Sequence, residues 1–137
     1  MKTLTREEFV TMLIKKMDKD INIWLLYIDL GFGFLHKVKK MFPERCLNTG
    51  LIEQSAIGIA CGLAKDGKKV YVYSTSTFLI FRALEQIRND IGSLDITLVG
   101  TTGKQYNFLG RTHVIEDNED IKVLDAIKSK VKYIRLV

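Results

Sequence analysis

Residues 53–73 read EQSAIGIACGLAKDGKKVYVY, and this stretch decides the fold class. After Glu53 every residue up to Ala64 is uncharged and mostly small or apolar, which predicts a buried helix over Glu53–Lys65. Asp66-Gly67 then ends that helix, because glycine readily adopts the left-handed backbone that closes many helices. Lys69–Tyr73 is rich in β-branched and aromatic residues and predicts a strand. A buried helix that leads into a strand is typical of parallel sheets covered by helices.

The same alternation extends in both directions along the chain. A capping-box pair, Thr5 and Glu8, marks the start of the first helix. The other predicted helices and strands follow from apolar spacing and β-branched content: helices Thr5–Lys19, Phe34–Met41, Phe78–Asp90 and Asn118–Lys130, and strands Ile21–Ile28, Cys46–Asn48, Ile96–Val99 and Val131–Val137. The sequence therefore predicts one α/β domain over residues 1–137, a three-layer sandwich with a mostly parallel sheet.

Composition and charge exclude several classes of protein. The hydrophobic fraction is 47% and the charged fraction 27%, which excludes a disordered chain. The longest apolar run, Ala56–Ala64, is too short to span a membrane. The net charge is +5, but the lysines fall in scattered pairs without a run of five basic residues. We therefore expect neither nucleic acid nor a membrane surface as a partner.

The cysteines and the first residues bear on the cellular compartment. Cys46 and Cys61 are too few for a disulfide framework or a zinc site. Met1–Phe9 is charged and is not followed by the apolar segment of a signal peptide. A cytoplasmic protein is the expectation.

Ligands of parallel sheets bind beyond the carboxyl ends of the strands, so the loops there are the first candidates for a site. Gly31 and Gly33 have the spacing of half a dinucleotide fingerprint, but His36 stands where the third glycine belongs. A tight turn is the simpler interpretation. The chain also lacks the glycine-rich phosphate loop that ends in Lys and Ser or Thr.

Glu53 begins its helix directly after the strand Cys46–Asn48. A carboxylate in the first turn is favoured by the helix dipole, and this is one sufficient explanation of Glu53. The apolar helix behind it favours a second explanation, since a carboxylate at the head of a buried helix suggests a site or an interface. Both interpretations remain open from the residues alone.

Two further segments offer ring-bearing side chains. Phe78 and Phe81 lie three residues apart on one helical face, either as core residues or as an aromatic wall for a planar ring. His113 lies in a glycine-bearing loop, where it is either solvated or available as an acid, base or hydrogen-bond donor. The acidic stretch Glu116–Asp120 is interpreted as the start of a helix rather than as a metal site.

Together these segments resemble the pyrimidine-binding domain of transketolases and of the related deoxyxylulose-phosphate synthases, which use thiamine diphosphate. The resemblance extends from about Thr5 to the C-terminus and rests on the order and spacing of five pieces: Asp29-Leu30, Gly50-x-x-Glu53-Gln54, the hydroxyl-rich and aromatic segment 74–81, Gly100, and Gly110-x-Thr112-His113 with Glu116-Asp117.

The resemblance implies roles for the cofactor side of the site. Glu53 matches the glutamate that hydrogen-bonds N1′ of the aminopyrimidine and so activates the cofactor for loss of its C2 proton. Phe78 and Phe81 would line the pyrimidine pocket, and Asp29 would lie close to the cofactor. On this basis Glu53 and His113 are the candidate catalytic residues.

On the substrate side, His113 and Arg6 match residues that contact the sugar phosphate. The matching of other positions is poorer: Thr101, Leu109, Gly33 and Leu84 replace a histidine, an aspartate, a serine and a tyrosine of transketolases. These departures leave open whether specificity has changed or activity has been lost.

The resemblance also implies a partner. Enzymes of this family need a diphosphate-binding domain, whose Gly-Asp-Gly segment and asparagine bind Mg²⁺, and the nearest string here, Lys65-Asp66-Gly67, lies at a helix end. The chain thus resembles one half of a split enzyme that acts on a sugar phosphate or a 2-oxo acid. Thiamine diphosphate would be shared with a separate diphosphate-binding subunit in a homodimer or heterotetramer.

Two alternatives stand beside this hypothesis. The chain could be a non-catalytic binding or regulatory module that keeps the fold without the chemistry. A flavodoxin-like nucleotide binder is a third possibility, which the missing phosphate loop disfavours.

Overall fold

A single six-stranded parallel sheet organises the chain, and the computed structural model describes all residues from 1 to 137. The strand order is β1-β6-β5-β4-β2-β3, and every neighbouring pair is parallel. The strands are β1 Lys2–Leu4, β2 Ile23–Tyr27, β3 Cys46–Asn48, β4 Lys69–Thr75, β5 Ile96–Thr101 and β6 Lys132–Leu136. The predicted sheet is therefore confirmed, and it is wholly rather than mostly parallel.

Helices cover both faces of the sheet, which confirms the three-layer sandwich. They are α1 Arg6–Lys19, α2 His36–Met41, α3 Glu53–Lys65, α4 Leu84–Asn89 and α5 Glu119–Ala126. Buried side chains of α1 and α2 pack on one face, and those of α3, α4 and α5 pack on the other. The two apolar cores account for most of the stability of such a fold.

The first helix has the predicted capping box. The Thr5 hydroxyl accepts a hydrogen bond from the amide of Glu8, and the Glu8 carboxylate accepts one from the Thr5 amide at 2.8 Å. These contacts satisfy donors that a helix start otherwise leaves unpaired, and a good N-cap contributes about 1 kcal/mol.

Helix α3 has the predicted bounds, but it is not buried on every face. Ala56, Ile57, Ala60 and Cys61 pack in the core, whereas Ser55, Gly58, Ile59 and Gly62 are exposed. The prediction of all-round burial is wrong for the chain by itself, because the small and apolar residues on the outer face have no neighbouring layer. We call the exposed residues Ser55, Gly58, Ile59 and Gly62 the outer face of α3.

The segment predicted as one helix, Phe78–Asp90, divides into two. Thr77–Arg82 forms a π-helical turn, and α4 follows after Ala83. A π turn contains one extra residue per turn, and such turns are frequent at functional sites. Leu79 and Ile80 of the turn remain fully buried, so the wider turn still anchors the segment in the core.

Further differences from the sequence prediction concern one additional strand and the ends of several elements. Strand β1 was not predicted, and it adds the edge beside β6. Helix α5 ends at Ala126, short of the predicted Lys130, because Lys128 adopts a left-handed backbone with φ 53° that a helix cannot continue through. None of the five α-helices has the length and the apolar character required to cross a bilayer.

Candidate active site

The carboxyl ends of β2, β3, β4 and β5 meet at one edge of the sheet, and the loops that follow them carry the candidate residues. Asp29 follows β2, Glu53 follows β3, Phe78 follows β4 and His113 follows β5. This is the edge at which parallel sheets bind ligands. The sequence-based choice of loops therefore brings four candidate residues to one side of the molecule.

Glu53 is a buried carboxylate at the first position of α3. Only 5% of the residue is exposed, and its Oε1 accepts a hydrogen bond of 3.0 Å from Nη1 of Arg82. The Arg82 side chain is 53% exposed, so the ion pair lies at the boundary between core and solvent. Leu51, Ile52 and Arg82 line the small opening through which Glu53 is reached.

Arg82 also connects Glu53 to the aromatic residues. Its guanidinium carbon lies 4.0 Å above the centre of the Phe78 ring. The other side of this cluster is His113, whose ring meets Phe78 edge to face at 4.8 Å. Glu53, Arg82, Phe78 and His113 thus form one continuous cluster, which we call the Glu53 cluster.

Phe81 borders the Glu53 cluster without contributing to the core. It is 40% exposed and lines a second opening together with Phe78 and Arg82. Phe81 is thus exposed beside the opening, whereas Phe78 is half-buried between Arg82 and His113.

His113 is held by the loop that follows β5. Its Nδ1 lies 2.8 Å from the Thr112 hydroxyl, and its ring centre lies 5.6 Å from that of Tyr106. Gly103 has φ 74°, and a Cβ built there would lie 1.8 Å from the backbone oxygen of His113. Only glycine fits at that close approach, so Gly103 determines where the loop returns to the sheet.

Asp29 and Asn48 join the ends of β2 and β3. The Asn48 amide group donates to Asp29 Oδ1 at 3.0 Å and accepts from the Asp29 backbone amide at 3.1 Å. Asn48 Oδ1 also accepts from the amide of Gly50, three residues before Glu53. Asp29 is exposed and does not contact Glu53 directly; its φ of 46° is a conformation that aspartate tolerates better than most residues.

Arg6 lies at the carboxyl end of β1 but apart from the Glu53 cluster. Its guanidinium carbon is 5.5 Å from the centre of the Phe34 ring, and Phe34 packs edge to face on Tyr73 at 5.2 Å. Burial raises the pKa of Tyr73, and the charge of Arg6 opposes that rise. The structure therefore places Arg6 on the α1 side of the sheet and Glu53 on the α3 side.

A buried polar network lies between the start of the π turn, β6 and α5. The Tyr133 hydroxyl lies 2.8 Å from the Ser76 hydroxyl and donates to Asp120 Oδ2 at 2.6 Å, while Arg135 pairs with both oxygens of Asp120. Burial, followed by the negative charge of Asp120, raises the pKa of Tyr133. Ser76 directly precedes the π turn, so this network holds the start of the segment that carries Phe78.

Sequence reasoning did not assign a role to Arg82. It lies four residues after Phe78, a spacing at which helical side chains meet, and this was the available signal. Its partner Glu53 is 29 residues earlier in the chain, and no local pattern connects the two. No three His, Cys, Asp or Glu side chains of the chain lie together as metal ligands would.

The chain is thus a parallel α/β domain whose ligand-binding edge carries a buried glutamate at the head of a small-residue helix and a nearby aromatic turn. The family model "Transketolase, pyrimidine binding domain" matches residues 2–131, and the chain belongs to this family. Membership confirms the resemblance that the motifs indicated, and the family implies thiamine diphosphate as cofactor.

Individual relatives agree with this assignment. The chain is 38% identical over 112 residues to the 1-deoxy-D-xylulose-5-phosphate synthase of Fusobacterium nucleatum, an alignment that covers 74% of the chain and 18% of the relative. It is 33% identical over 123 residues to one subunit of the apulose-4-phosphate transketolase of Phocaeicola vulgatus, which covers 87% of the chain and 39% of the relative. The chain therefore spans less than two-fifths of the length of either protein.

Among solved structures, a split gene transketolase in an inactive tetramer superimposes with a TM-score of 0.75. The alignment covers 99% of the chain and 52% of that subunit, at 26% sequence identity. Nearly the whole chain thus has a counterpart within one subunit of a divided transketolase.

The residues present fit the aminopyrimidine of this cofactor. The Phe78 face and the Glu53 carboxylate already hold a flat, nitrogen-bearing group between them, the Arg82 guanidinium. The buried Thr77 hydroxyl next to Phe78 has no hydrogen-bond partner in the chain.

Proposed function

We propose that this chain is the pyrimidine-binding component of a split, thiamine-diphosphate-dependent transketolase-like enzyme. The observation that carries the proposal is the Glu53 cluster, in which Arg82 joins a buried carboxylate to an aromatic ring at the ligand-binding edge of the sheet. When bound, the cofactor supplies the carbon nucleophile and the electron sink for making and breaking a bond next to a ketone.

In this proposal Glu53 holds a proton at the N1′ position of the aminopyrimidine. A dry position suits this task, because low-dielectric surroundings strengthen a hydrogen bond between the carboxyl group and a ring nitrogen. Helix α3 provides that dryness through Ala56, Ile57 and Ala60, all fully buried. Phe78 and Phe81 offer their rings to the flat face of the pyrimidine.

The other candidate residues act around this centre. Asp29, fixed by Asn48, borders the cofactor at the end of β2. His113 reaches the substrate from the loop after β5, and Arg6 provides a cation for an anionic substrate group. One relative is named as an apulose-4-phosphate transketolase, which supports a sugar phosphate as one substrate class, while a 2-oxo acid remains the alternative donor.

The proposal includes a second chain. A diphosphate-binding subunit of the transketolase N-terminal type would hold Mg²⁺ and the cofactor's diphosphate, and the two chains would assemble as a heterotetramer. The exposed apolar residues Leu51, Ile52, Ile59 and Phe81 around Glu53 support an interface there, since monomers rarely expose such patches.

The test is the Glu53→Gln variant in a complex with the diphosphate-binding subunit. Glutamine has nearly the same shape but cannot take up and return a proton, so hydrogen–deuterium exchange at cofactor C2 should slow by about 10²–10⁴-fold. The matched control is Glu85→Gln on the exposed face of α4, which removes the same charge and should leave exchange unchanged.

The exchange rate distinguishes the two function classes. If Glu53→Gln exchanges as fast as the parent, Glu53 is only a first-turn carboxylate and the chain is better described as a non-catalytic module. His113→Ala should leave C2 exchange intact and alter turnover of the substrate, because His113 contacts Phe78 and Tyr106 and forms no hydrogen bond with Glu53.

A further inference from the structure

Arg82 stands where a ligand of the Glu53 cluster would stand. Its Nη1 donates to Glu53 Oε1, the hydrogen bond that a ring nitrogen of a ligand would need. Its guanidinium lies 4.0 Å over the Phe78 ring, the face on which a pyrimidine would stack. A guanidinium is planar and carries N–H donors along its edge, so it resembles an aminopyrimidine protonated at N1′ in its flat shape and in donating to a carboxylate.

The contact that holds Arg82 is weak enough to open. A single hydrogen bond joins the two side chains, whereas the stronger arginine–carboxylate pairs use two parallel bonds. About half of the Arg82 side chain is in solvent, which screens the ion pair. Arg82 lies at the end of the π turn, after the exposed Phe81, so its side chain can move outward while Leu79 and Ile80 stay in the core.

We propose that Arg82 is an internal occupant of the Glu53 cluster, which closes the cofactor ring site in the unassembled chain and is displaced when the ring binds. The proposal rests on the proposed function, because the ring is that of thiamine diphosphate. Its consequence is regulatory: the unassembled chain binds the cofactor less tightly than it would if Arg82 did not occupy the ring site.

Binding of thiamine diphosphate with Mg²⁺ to the full chain tests this, measured by NMR titration of the wild type and of Arg82 variants. Arg82→Ala should lower the dissociation constant by about five- to tenfold, the combined effect of one screened ion pair and one cation–π contact. Arg82→Lys keeps the charge without the flat face and should lie between the wild type and Arg82→Ala.

The matched control is Arg88→Ala. Arg88 is exposed on α4 and forms none of the ion pairs of the chain, so its removal reduces the attraction for an anionic cofactor by the same single charge. Arg88→Ala should bind the cofactor as the wild type does, or slightly less tightly. In the wild type the Nε–H signal of Arg82 should shift on titration, which reports the displacement without any activity measurement.

The outcomes separate this proposal from the proposed function. If Arg82→Ala binds no more tightly than Arg88→Ala, Arg82 is not a competing occupant and the proposal is overturned, whatever Glu53 does. If Arg82→Ala binds tightly but the double variant Arg82→Ala, Glu53→Gln binds equally well, Arg82 blocks the site but Glu53 does not hold the ring, and the proposed function fails. Absence of binding in every variant overturns the proposal for Arg82, whereas the proposed function is still decided by C2 exchange in the complex with the diphosphate-binding subunit.

Discussion

Single residues determine how the loop with His113 reaches the site. Gly103 combines a left-handed backbone with a Cβ direction that points at the backbone oxygen of His113. Gly100 lies in an equally narrow place, since a Cβ there would lie 2.3 Å from the Ser76 hydroxyl oxygen. Both positions require glycine because another segment of the chain packs against the backbone there. Neither glycine lies in a sequence pattern typical of a turn, so the requirement could not be predicted.

Gly103→Ala should destabilise the chain by at least about 1 kcal/mol. The left-handed backbone by itself disfavours alanine by about 1–3 kcal/mol, and the overlap with His113 requires the loop to move as well. Urea unfolding measures the change. Gly33→Ala is the control, because its φ is not positive and a Cβ there meets nothing within 4 Å. Equal midpoints for the two variants would contradict this account of Gly103.

Among the elements, α3 has two unlike faces. Its inner face packs Ala56, Ile57 and Ala60 into the core, and its outer face is made of small residues around Ile59. Small residues permit another helix to approach closely, and the outer face begins beside the opening to Glu53. The helix therefore connects assembly with the site.

Ile59→Asp should weaken self-association or pairing of the chain by at least about tenfold. A charge placed in an apolar interface loses its water without gaining a partner. Light scattering over a concentration series measures the effect. Ile21→Asp, at an exposed position in the turn before β2, should associate as the wild type does. A wild type that stays monomeric with or without a diphosphate-binding partner would show that the outer face of α3 is not an interface.

How far the sequence predicted the elements depends on how local their causes are. The bounds of α3 and β3 were predicted correctly because their signals are local. The uncharged run of α3 begins after Glu53, and Asp66-Gly67 ends the helix. Strand β1 has three residues and no pattern of its own, and it exists through its pairing with β6. The π turn and the Arg82–Glu53 contact likewise depend on distant residues, so periodicity could not reveal them.

For the whole molecule, burial of groups that lose a proton at high pH sets the pH range of stability. Burial raises the pKa of Cys46 from 9.0 to about 11, and it raises the pKa values of Tyr73 and Tyr133 as well. In the folded chain these groups keep their protons, while in the unfolded chain they ionise near their ordinary values. The unfolded state then binds fewer protons than the folded state, so stability falls as the pH rises.

The free energy of unfolding should therefore be nearly constant with respect to these groups below about pH 8.5 and decrease between about pH 9 and 11. Each fully shifted group contributes a slope of up to about 1.4 kcal/mol per pH unit. In Cys46→Ser the free energy of unfolding should decrease less steeply with pH over this range. The free energy of the same variant at neutral pH gives the effect of the substitution on packing, which is subtracted. A free energy of unfolding that stays constant across that alkaline range would contradict the raised pKa values.

The pairing of β1 with β6 has a consequence for the order in which the chain can fold. Lys2 pairs with Ile134, about 130 residues away, whereas β4 and β5 pair across about 26 residues. By loop-closure entropy alone the longer connection costs about 1.4 kcal/mol more. Among the strands of this sheet β1 is synthesised before the others, yet its only neighbour, β6, is synthesised after them. β1 can therefore join the sheet only after β6 has paired with β5. Until β6 is made, β5 is an edge strand with one side unpaired.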